Sequence, residues 1–231
     1  MKWNVVSSPA LRTNDNSALN GIAALSRNNI YAVGYQPAAN GAVLTLVEHW
    51  NGSAWSVVNT PNANSTGNNL MAVSADSPSD VWAVGDKVAP NVAVQTLVEH
   101  FDGMRWSIVP SPNPVLGSDL DQNVLTGLIA LSPTDVTAAG FILDFATQRK
   151  LTLIEHWDGQ RWTVVPSSNP DSSFGAFNTL TGISGFNSSD LYAVGYFGDP
   201  NLAGQHATLV EHFDGTLWSI VPSQKRELLS I

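Results

Sequence analysis

The sequence predicts an all-β fold, a β-propeller whose blades are four-stranded antiparallel meanders. Two repeated blocks predict it. The first, Thr-Leu-(Val/Ile)-Glu-His-(Trp/Phe)-(Asn/Asp)-Gly-x-x-Trp, occurs at Thr45–Trp55, Thr96–Trp106, Thr152–Trp162 and Thr208–Trp218. The second occurs without gaps at Leu19–Gly34, Leu70–Gly85, Leu125–Gly140 and Leu180–Gly195. A period of about 50 residues made of short apolar runs is typical of propellers and similar radial arrays.

The second block predicts strands a and b of each blade, joined by a polar turn. One column of strand a holds only small residues, namely Gly21, Ala72, Gly127 and Gly182. Apolar character on both faces indicates a strand that is buried on both sides. We therefore place strand a innermost, where the blades converge.

The first block predicts strand c, a turn, and strand d, which begins at Trp. An Asn-Gly or Asp-Gly pair between apolar runs, such as Asn51-Gly52, is a strong hairpin signal. It predicts a two-residue turn with positive φ at both residues. Strand d carries Val or Ile beside its Trp, so we expect it to cover the edge of the blade.

Together these elements predict one propeller domain over residues 1–222. Its blades are expected at residues 19–58, 70–109, 125–165 and 180–221. Residues 3–8 match the d strands and predict an extra outer-type strand at the N-terminus. The tail 223–231 departs from the repeat, and we expect a short helix or disorder there.

The extra strand leaves three arrangements open. The chain is a four-bladed ring with an additional outer strand, part of a larger ring completed by another copy, or a piece of a longer protein. We expect closure within one chain, because a strand that pairs with the other end of the chain removes exposed edges. Homo-oligomerisation is the alternative.

The composition and charge argue against several classes of binding partner. The 231 residues are 43% hydrophobic and 13% charged, with a net charge of −9 and no cysteine. An acidic surface argues against nucleic acid, whose phosphates require clustered Lys and Arg. No run is long enough to insert into a membrane, and no motif predicts a metal or a cofactor. No apolar signal segment follows Met1, which leaves a cytoplasmic protein or a secreted or cell-surface one whose leader was removed.

The blade motif resembles that of a family of bacterial propeller proteins with the pattern DVWAVG…TLIEHWDGxxWSVVPSPN. Ser79–Gly85 and Thr96–Asn113 carry the resemblance, which extends over nearly the whole chain to Pro222. Kelch, galactose-oxidase and tachylectin propellers are more distantly similar, and they include enzymes, interaction scaffolds and lectins. Two positions depart from the pattern: Asn29 replaces an Asp, and Thr137 replaces an aromatic residue.

Strand c carries adjacent Glu and His residues in every blade, at Glu48/His49, Glu99/His100, Glu155/His156 and Glu211/His212. Metal ligation or acid–base chemistry is the functional interpretation of such pairs. Neighbours on a strand point to opposite faces, so one pair cannot chelate one ion. We therefore interpret them as a structural hydrogen-bond network. The Asp column of the a–b turns (80, 135, 190) is interpreted as turn caps, because one carboxylate per turn is too few for calcium.

Variation in length is confined to two connections of the repeat. The stretch from strand d to strand a runs 3–19, 55–70, 106–125 and 162–180, and that from b to c runs 34–48, 85–99, 140–155 and 195–211. In an up-and-down blade both emerge on one face, where a rigid scaffold usually binds ligands. The candidate ligand-binding residues on this face are Tyr35, Asn69, Asp86, Asn123, Phe141, Asn178 and Tyr196. Aromatic rings beside amides and carboxylates suit a glycan and equally a protein surface.

Three classes of function remain after this. We favour a lectin-like or protein-binding module without catalytic residues. The alternatives are a structural propeller that oligomerises through its extra strand and a propeller enzyme, such as a glycosidase or lyase. An enzyme of that kind requires two opposed carboxylates. The candidates are Asp86, Asp119, Asp121, Asp144 and Asp199.

Overall fold

A computed structural model describes residues 4–9, 16–63, 66–88, 93–115, 117–198 and 206–222. Their regular structure consists of strands, which fall into four units. Unit 1 contains β1 (Ala18–Ser26), β2 (Asn29–Pro37), β3 (Val43–Trp50) and β4 (Trp55–Val58). Unit 2 contains β5 (Gly67–Ser77), β6 (Asp80–Val88), β7 (Val94–Phe101) and β8 (Trp106–Ile108). Unit 3 contains β9 (Gln122–Ser132), β10 (Asp135–Asp144), β11 (Arg149–Trp157) and β12 (Trp162–Val165). Unit 4 contains β13 (Asn178–Asn187), β14 (Asp190–Gly198), β15 (His206–Phe213) and β16 (Trp218–Ile220).

Within each unit the strands pair in chain order and antiparallel. In unit 1, β1 pairs with β2, β2 with β3 and β3 with β4. Units 2, 3 and 4 repeat this order. A single parallel pair, Val94 with Gln122, links β7 of unit 2 to β9 of unit 3.

The first strands of the units pack on one another, β1 on β5, β5 on β9 and β9 on β13. Their backbones approach closely: a Cβ at Gly21 would lie 3.0 Å from the Cα of Ala72, and one at Gly127 would lie 2.9 Å from the Cα of Gly182. A larger side chain would force these strands apart, which explains the column of small residues.

Hydrophobic clusters fill the interfaces between consecutive units. Val33 of β2 packs with Val73 of β5, and Val84 of β6 packs with Leu128 of β9. Each interface also receives the Trp that opens strand d, and Trp106, Trp162 and Trp218 are all buried. The repeats are therefore held together by the same face-to-face contact, made once per pair of units.

The two ends of each unit carry different connections. At the turn end, the c–d loop lies against the a–b turn; a Cβ at Gly103 would lie 2.8 Å from the Cβ of Ser79. At the opposite loop end, the b–c loop meets the d–a loop; in unit 3 the Phe145 amide donates to Asp121 at 2.9 Å. The connections of variable length thus share one end, as the repeat lengths predict.

The c–d turn differs from the predicted two-residue hairpin. The last strand pair is Trp50 with Trp55, which closes a loop over residues 51–54. Within the c–d loops, the glycine alone has positive φ, for example 96° at Gly52. The Asn51 side chain instead accepts hydrogen bonds from the amides of Ser53 and Ala54 at 3.0 and 3.1 Å. This side-chain cap stabilises the longer loop without a second left-handed residue.

The predicted N-terminal strand is also absent from the described residues. Residues 4–9 form no strand, and Val5 and Val6 are 101% and 54% exposed. The segment is nevertheless attached to unit 1, because the Ser8 hydroxyl lies 2.7 and 2.8 Å from the two carboxylate oxygens of Glu48. Trp3 and the tail 223–231 lie outside the described residues.

Closure within one chain is likewise not observed among the described strands. No packing comparable to that of β9 on β13 joins β13 to β1. Val194 of β14 is 46% exposed, whereas its counterparts Val33 and Val84 are fully buried. Unit 4 therefore presents a face that is covered in units 1 and 2.

Candidate functional site

In each unit, the histidine of strand c is hydrogen-bonded to the Asp or Asn of the a–b turn. His100 and Asp80 are joined at 2.5 Å, His156 and Asp135 at 3.0 Å, and His212 and Asp190 at 2.8 Å. In unit 1, Asn29 takes the place of the aspartate, at 2.8 Å from His49. A neutral amide thus takes the place of the carboxylate as the partner of the histidine in unit 1.

An aromatic ring covers the histidine in three of the four units. His100 stacks on Trp82 with centroids 4.0 Å apart, His49 lies 4.6 Å from Tyr31, and His212 lies 4.4 Å from Tyr192. The residue facing His156 across the strand pair is Thr137. Unit 3 therefore keeps the histidine and its aspartate but lacks the ring.

The glutamate column lies in the interior. The side chains of Glu48, Glu99, Glu155 and Glu211 are at most 2% exposed. Burial raises the pKa of Glu99 and of Glu155 to about 8, and that of Glu211 to about 7. Both carboxyl oxygens of Glu99, and both of Glu155, are buried without a hydrogen-bond partner among the described residues. Ser168, which follows strand d of unit 3, donates its amide to Glu211 at 3.0 Å.

The predicted asparagines lie at the loop end but face the interior. Asn123 and Asn178 are fully buried, and their amides donate to the carbonyls of Val94 and Lys150 in the preceding unit at 3.4 and 3.2 Å. The equivalent residue of unit 2 is Asn68, which donates to Val43 at 3.1 Å. These amides tie consecutive units together.

Asn69, the neighbour of Asn68, points instead toward Asp86. Its amide donates to the Asp86 carboxylate at 3.3 Å. Burial raises the pKa of Asp86 to about 6, and the Asn69 hydrogen bond opposes this shift. Tyr35 holds the position of Asp86 in unit 1 and is partly buried between its neighbouring strands.

The structure brings two of the predicted ligand residues into one aromatic cluster, Phe141 of unit 3 and Tyr196 of unit 4. The Lys150 amine lies 3.6 Å from the centre of the Phe141 ring and 4.7 Å from that of Phe177. Phe177 lies 5.9 Å from Tyr196, and His206 lies 5.2 and 4.9 Å from these two rings. Burial lowers the pKa of Lys150. The loop residues Phe177 and His206 belong to the variable face that the sequence predicts, whereas Lys150 was not among the predicted residues, because only the packing of unit 3 on unit 4 brings it against these rings.

Two of the other candidate carboxylates are engaged in loop structure, whereas Asp119 is exposed. Asp121 is 1% exposed and accepts the amides of Gly117, Ser118 and Phe145. Asp144 accepts the Thr147 hydroxyl at 2.6 Å, a contact that lowers the pKa of this partly exposed carboxyl group. Asp199 lies outside the described residues. Asp86 is thus the candidate whose pKa burial brings toward neutrality.

A cavity of about 390 Å³ lies at the turn end between units 3 and 4. It is lined by Thr137, His156, Phe213 and Trp218, together with Thr134 and Gly215. The repeat lengths predict a site at the opposite, loop end, and no feature of the sequence by itself predicts this cavity. The one hint in the sequence was Thr137, which replaces the aromatic residue of the other repeats. Its consequence becomes clear only when the residues of the next unit that face it are known.

Within the described ranges, no helix is long and apolar enough to cross a membrane, and no three acidic or histidine side chains are grouped as metal ligands. No protein-family model and no curated protein matches the chain. Solved structures do match it. An α-L-arabinanase of Penicillium chrysogenum has a TM-score of 0.61 at 12% identity, covering 93% of this chain and 69% of that one. The six-bladed fucose-recognising lectin of the fungus Aleuria aurantia has a TM-score of 0.53 at 15% identity, covering 91% and 62%.

The chain has a β-propeller fold. A GH93 α-L-arabinofuranosidase of Fusarium graminearum, with a TM-score of 0.59 at 15% identity, covers 91% of this chain and 66% of its own. The chain thus spans about two thirds of the length of these propellers. The propellers that it resembles include both a lectin and glycoside hydrolases.

Proposed function

We propose that the protein is a non-catalytic glycan-binding propeller that holds its ligand at the loop end of units 3 and 4. The aromatic cluster around Lys150 carries this proposal. Partly exposed rings pack on the C–H faces of sugars, and an amine held among them donates to hydroxyl groups. In this reading each four-stranded unit is one blade, and the chain supplies four. The proposal is consistent with the sugar ligand named for the lectin of similar fold.

The position of the cluster is specific to one pair of units. Lys150 is replaced by Val43 in unit 1 and Val94 in unit 2, at the equivalent start of strand c. The b-strand exits of these units carry Tyr35 and Asp86, and neither belongs to an aromatic cluster of this kind among the described residues. The other interfaces therefore provide internal controls.

A glycan array followed by titration calorimetry tests the proposal. We expect a saturable glycan ligand, and Phe177→Ala or Tyr196→Ala should weaken its binding at least about tenfold, the loss of one stacking ring. Tyr35→Ala is the matched control and should leave the affinity unchanged. Absence of any glycan ligand, or equal affinity of all three variants, would contradict the proposal.

A glycosidase is the second candidate, and the raised pKa of Asp86 favours it. A carboxyl group that keeps its proton near neutral pH is suited to general acid catalysis. Hydrolysis of arabino-oligosaccharides that is lost in Asp86→Asn would support this candidate over the binding module.

A further inference from the structure

The cavity between units 3 and 4 occupies a place that a side chain fills elsewhere in the same molecule. Tyr31, Trp82 and Thr137 are equivalent, because each pairs across the strands with the histidine of its unit. Trp82 extends from unit 2 into unit 3, where its ring lies 5.2 Å from Trp157 and 5.7 Å from Trp162. Tyr31 extends in the same way toward Phe101 and Trp106 of unit 2, at 6.2 Å from each.

At Thr137 the ring is missing, but the surfaces that hold it remain. On one side is His156, the counterpart of His100, which stacks on Trp82. On the other side are Phe213 and Trp218, 5.4 Å apart, the counterparts of Trp157 and Trp162. Thr137 itself is 4% exposed and forms part of the wall. The cavity therefore has the walls of a slot for one flat ring.

A polar group at the slot adds a preference for a ring with a donor. In unit 2 the indole Nε1 of Trp82 donates to Asp80 Oδ1 at 3.1 Å, and the same oxygen binds His100. In unit 3 Asp135 Oδ1 binds His156 at 3.0 Å, and Thr137 supplies no ring N–H to it. Asp135 lines the cavity and keeps 20% of its side chain exposed. A ligand with a ring N–H or O–H can make the hydrogen bond that Trp82 makes.

We propose that this cavity is a binding site for a planar aromatic ring carrying a hydrogen-bond donor, an indole or a phenol. The ring lies between His156 and the pair Phe213 and Trp218, and its donor reaches Asp135. A volume of about 390 Å³ is at the small end of the usual range for ligand pockets and accommodates a bicyclic ring. Dry apolar cavities that lack a side chain are known to take up aromatic molecules of matching shape. The site lies at the opposite end of the units from the aromatic cluster of Lys150.

Titration of the wild-type protein with indole, followed by calorimetry and by the indole N–H signals of its tryptophans in nuclear magnetic resonance, tests the proposal. We expect one site, with the Trp218 signal shifted and the Trp106 signal unchanged. Indene, which has the same shape without the N–H, should bind about tenfold more weakly, as for the loss of one hydrogen bond. Absence of saturable binding, or shifts that leave Trp218 unchanged, would overturn the proposal.

Two variants control the site. Thr137→Tyr introduces the residue found at this position in units 1 and 4 and should abolish indole binding while the protein stays folded. Trp82→Thr opens the corresponding slot between units 2 and 3 and should raise the stoichiometry from one site to two. Indole binding that persists in folded Thr137→Tyr would refute the proposal. If either variant fails to fold, the shifts of the wild-type tryptophan signals decide the question alone.

The ring can belong to a free small molecule or to a side chain of a peptide. N-acetyl-tryptophanamide, which carries the indole on a peptide backbone, separates these sources. Binding of both probes supports an aromatic side chain as the natural occupant, whereas binding of indole alone supports a small molecule.

Discussion

The buried glutamates couple the stability of the protein to pH. In the folded protein Glu99 and Glu155 keep their protons up to a pH of about 8, whereas an exposed glutamate releases its proton near 4.5. Between these values the folded state binds more protons than the unfolded chain. The contribution of each buried glutamate to the free energy of unfolding is therefore fully present below pH 4.5, and it is lost as the pH rises through the pKa of the folded state.

We predict that the melting temperature falls by several degrees between pH 5.5 and pH 8.5. Glu99→Gln keeps the shape of the side chain and removes its titration, so the variant should lose less stability over this range. The difference between variant and wild type isolates the contribution of Glu99 from those of the other groups. Calorimetric melting at each pH measures it, and parallel curves for the two proteins would contradict the prediction.

At the scale of the element, the c–d loop shows how far local sequence determines conformation. The Asn-Gly and Asp-Gly pairs correctly indicate a connection between strands c and d, and strand d begins at Trp as predicted. The turn type was wrong because the side chains of Asn51 and Asp102 accept backbone amides themselves. The observed four-residue loop also depends on the a–b turn against which its glycine packs, and this turn lies outside the sequence of the hairpin.

We predict that Gly103→Ala destabilises the protein by about 2–3 kcal/mol, since it combines backbone strain with a clash. Its φ is 89° and a Cβ would lie 2.8 Å from the Cβ of Ser79. Gly41→Ala is the matched control, with a φ of 85° and nothing within 4 Å, and should cost about 1 kcal/mol. Urea denaturation measures both, and equal losses would show that the contact with Ser79 contributes nothing.

The two candidate sites likewise depend on contacts between units, which the local sequence does not contain. Phe141 and Tyr196 are visible in the sequence as aromatic residues that follow strand b. Their meeting through Lys150 and Phe177 requires the packing of unit 3 on unit 4. Thr137 likewise stands out as a departure, but only the position of Trp82 between two units shows that its replacement leaves a slot.

At the scale of the whole molecule, the first and last units present complementary uncovered faces. Ile22 of β1 is 66% exposed, whereas its counterparts Val73 and Leu128 are 8% exposed. In the inner interfaces, Val73 shares a buried hydrophobic cluster with Val33, and Leu128 shares one with Val84. The residue of unit 4 equivalent to Val33 and Val84 is Val194, which is 46% exposed. Ile22 of one molecule is therefore the natural cover for Val194 of another.

We predict that the protein associates head to tail through these faces, as a heterologous contact repeats one surface on its complement. Light scattering should show a mass that rises with concentration, and Ile22→Glu or Val194→Glu should each abolish the rise by burying a charge in an apolar contact. A mixture of the two variants should form a dimer. The first variant keeps Val194 and the second keeps Ile22, so one wild-type contact can form between the two molecules.

Deleting residues 1–9 should strengthen association. In the present chain Ser8 contacts Glu48 in the way that Ser168 of a preceding unit contacts Glu211, and the deletion frees Glu48 for such a contact. A monomer at every concentration, in wild type and deletion variant alike, would contradict assembly through the outer units and would leave the exposed face of Val194 without this role.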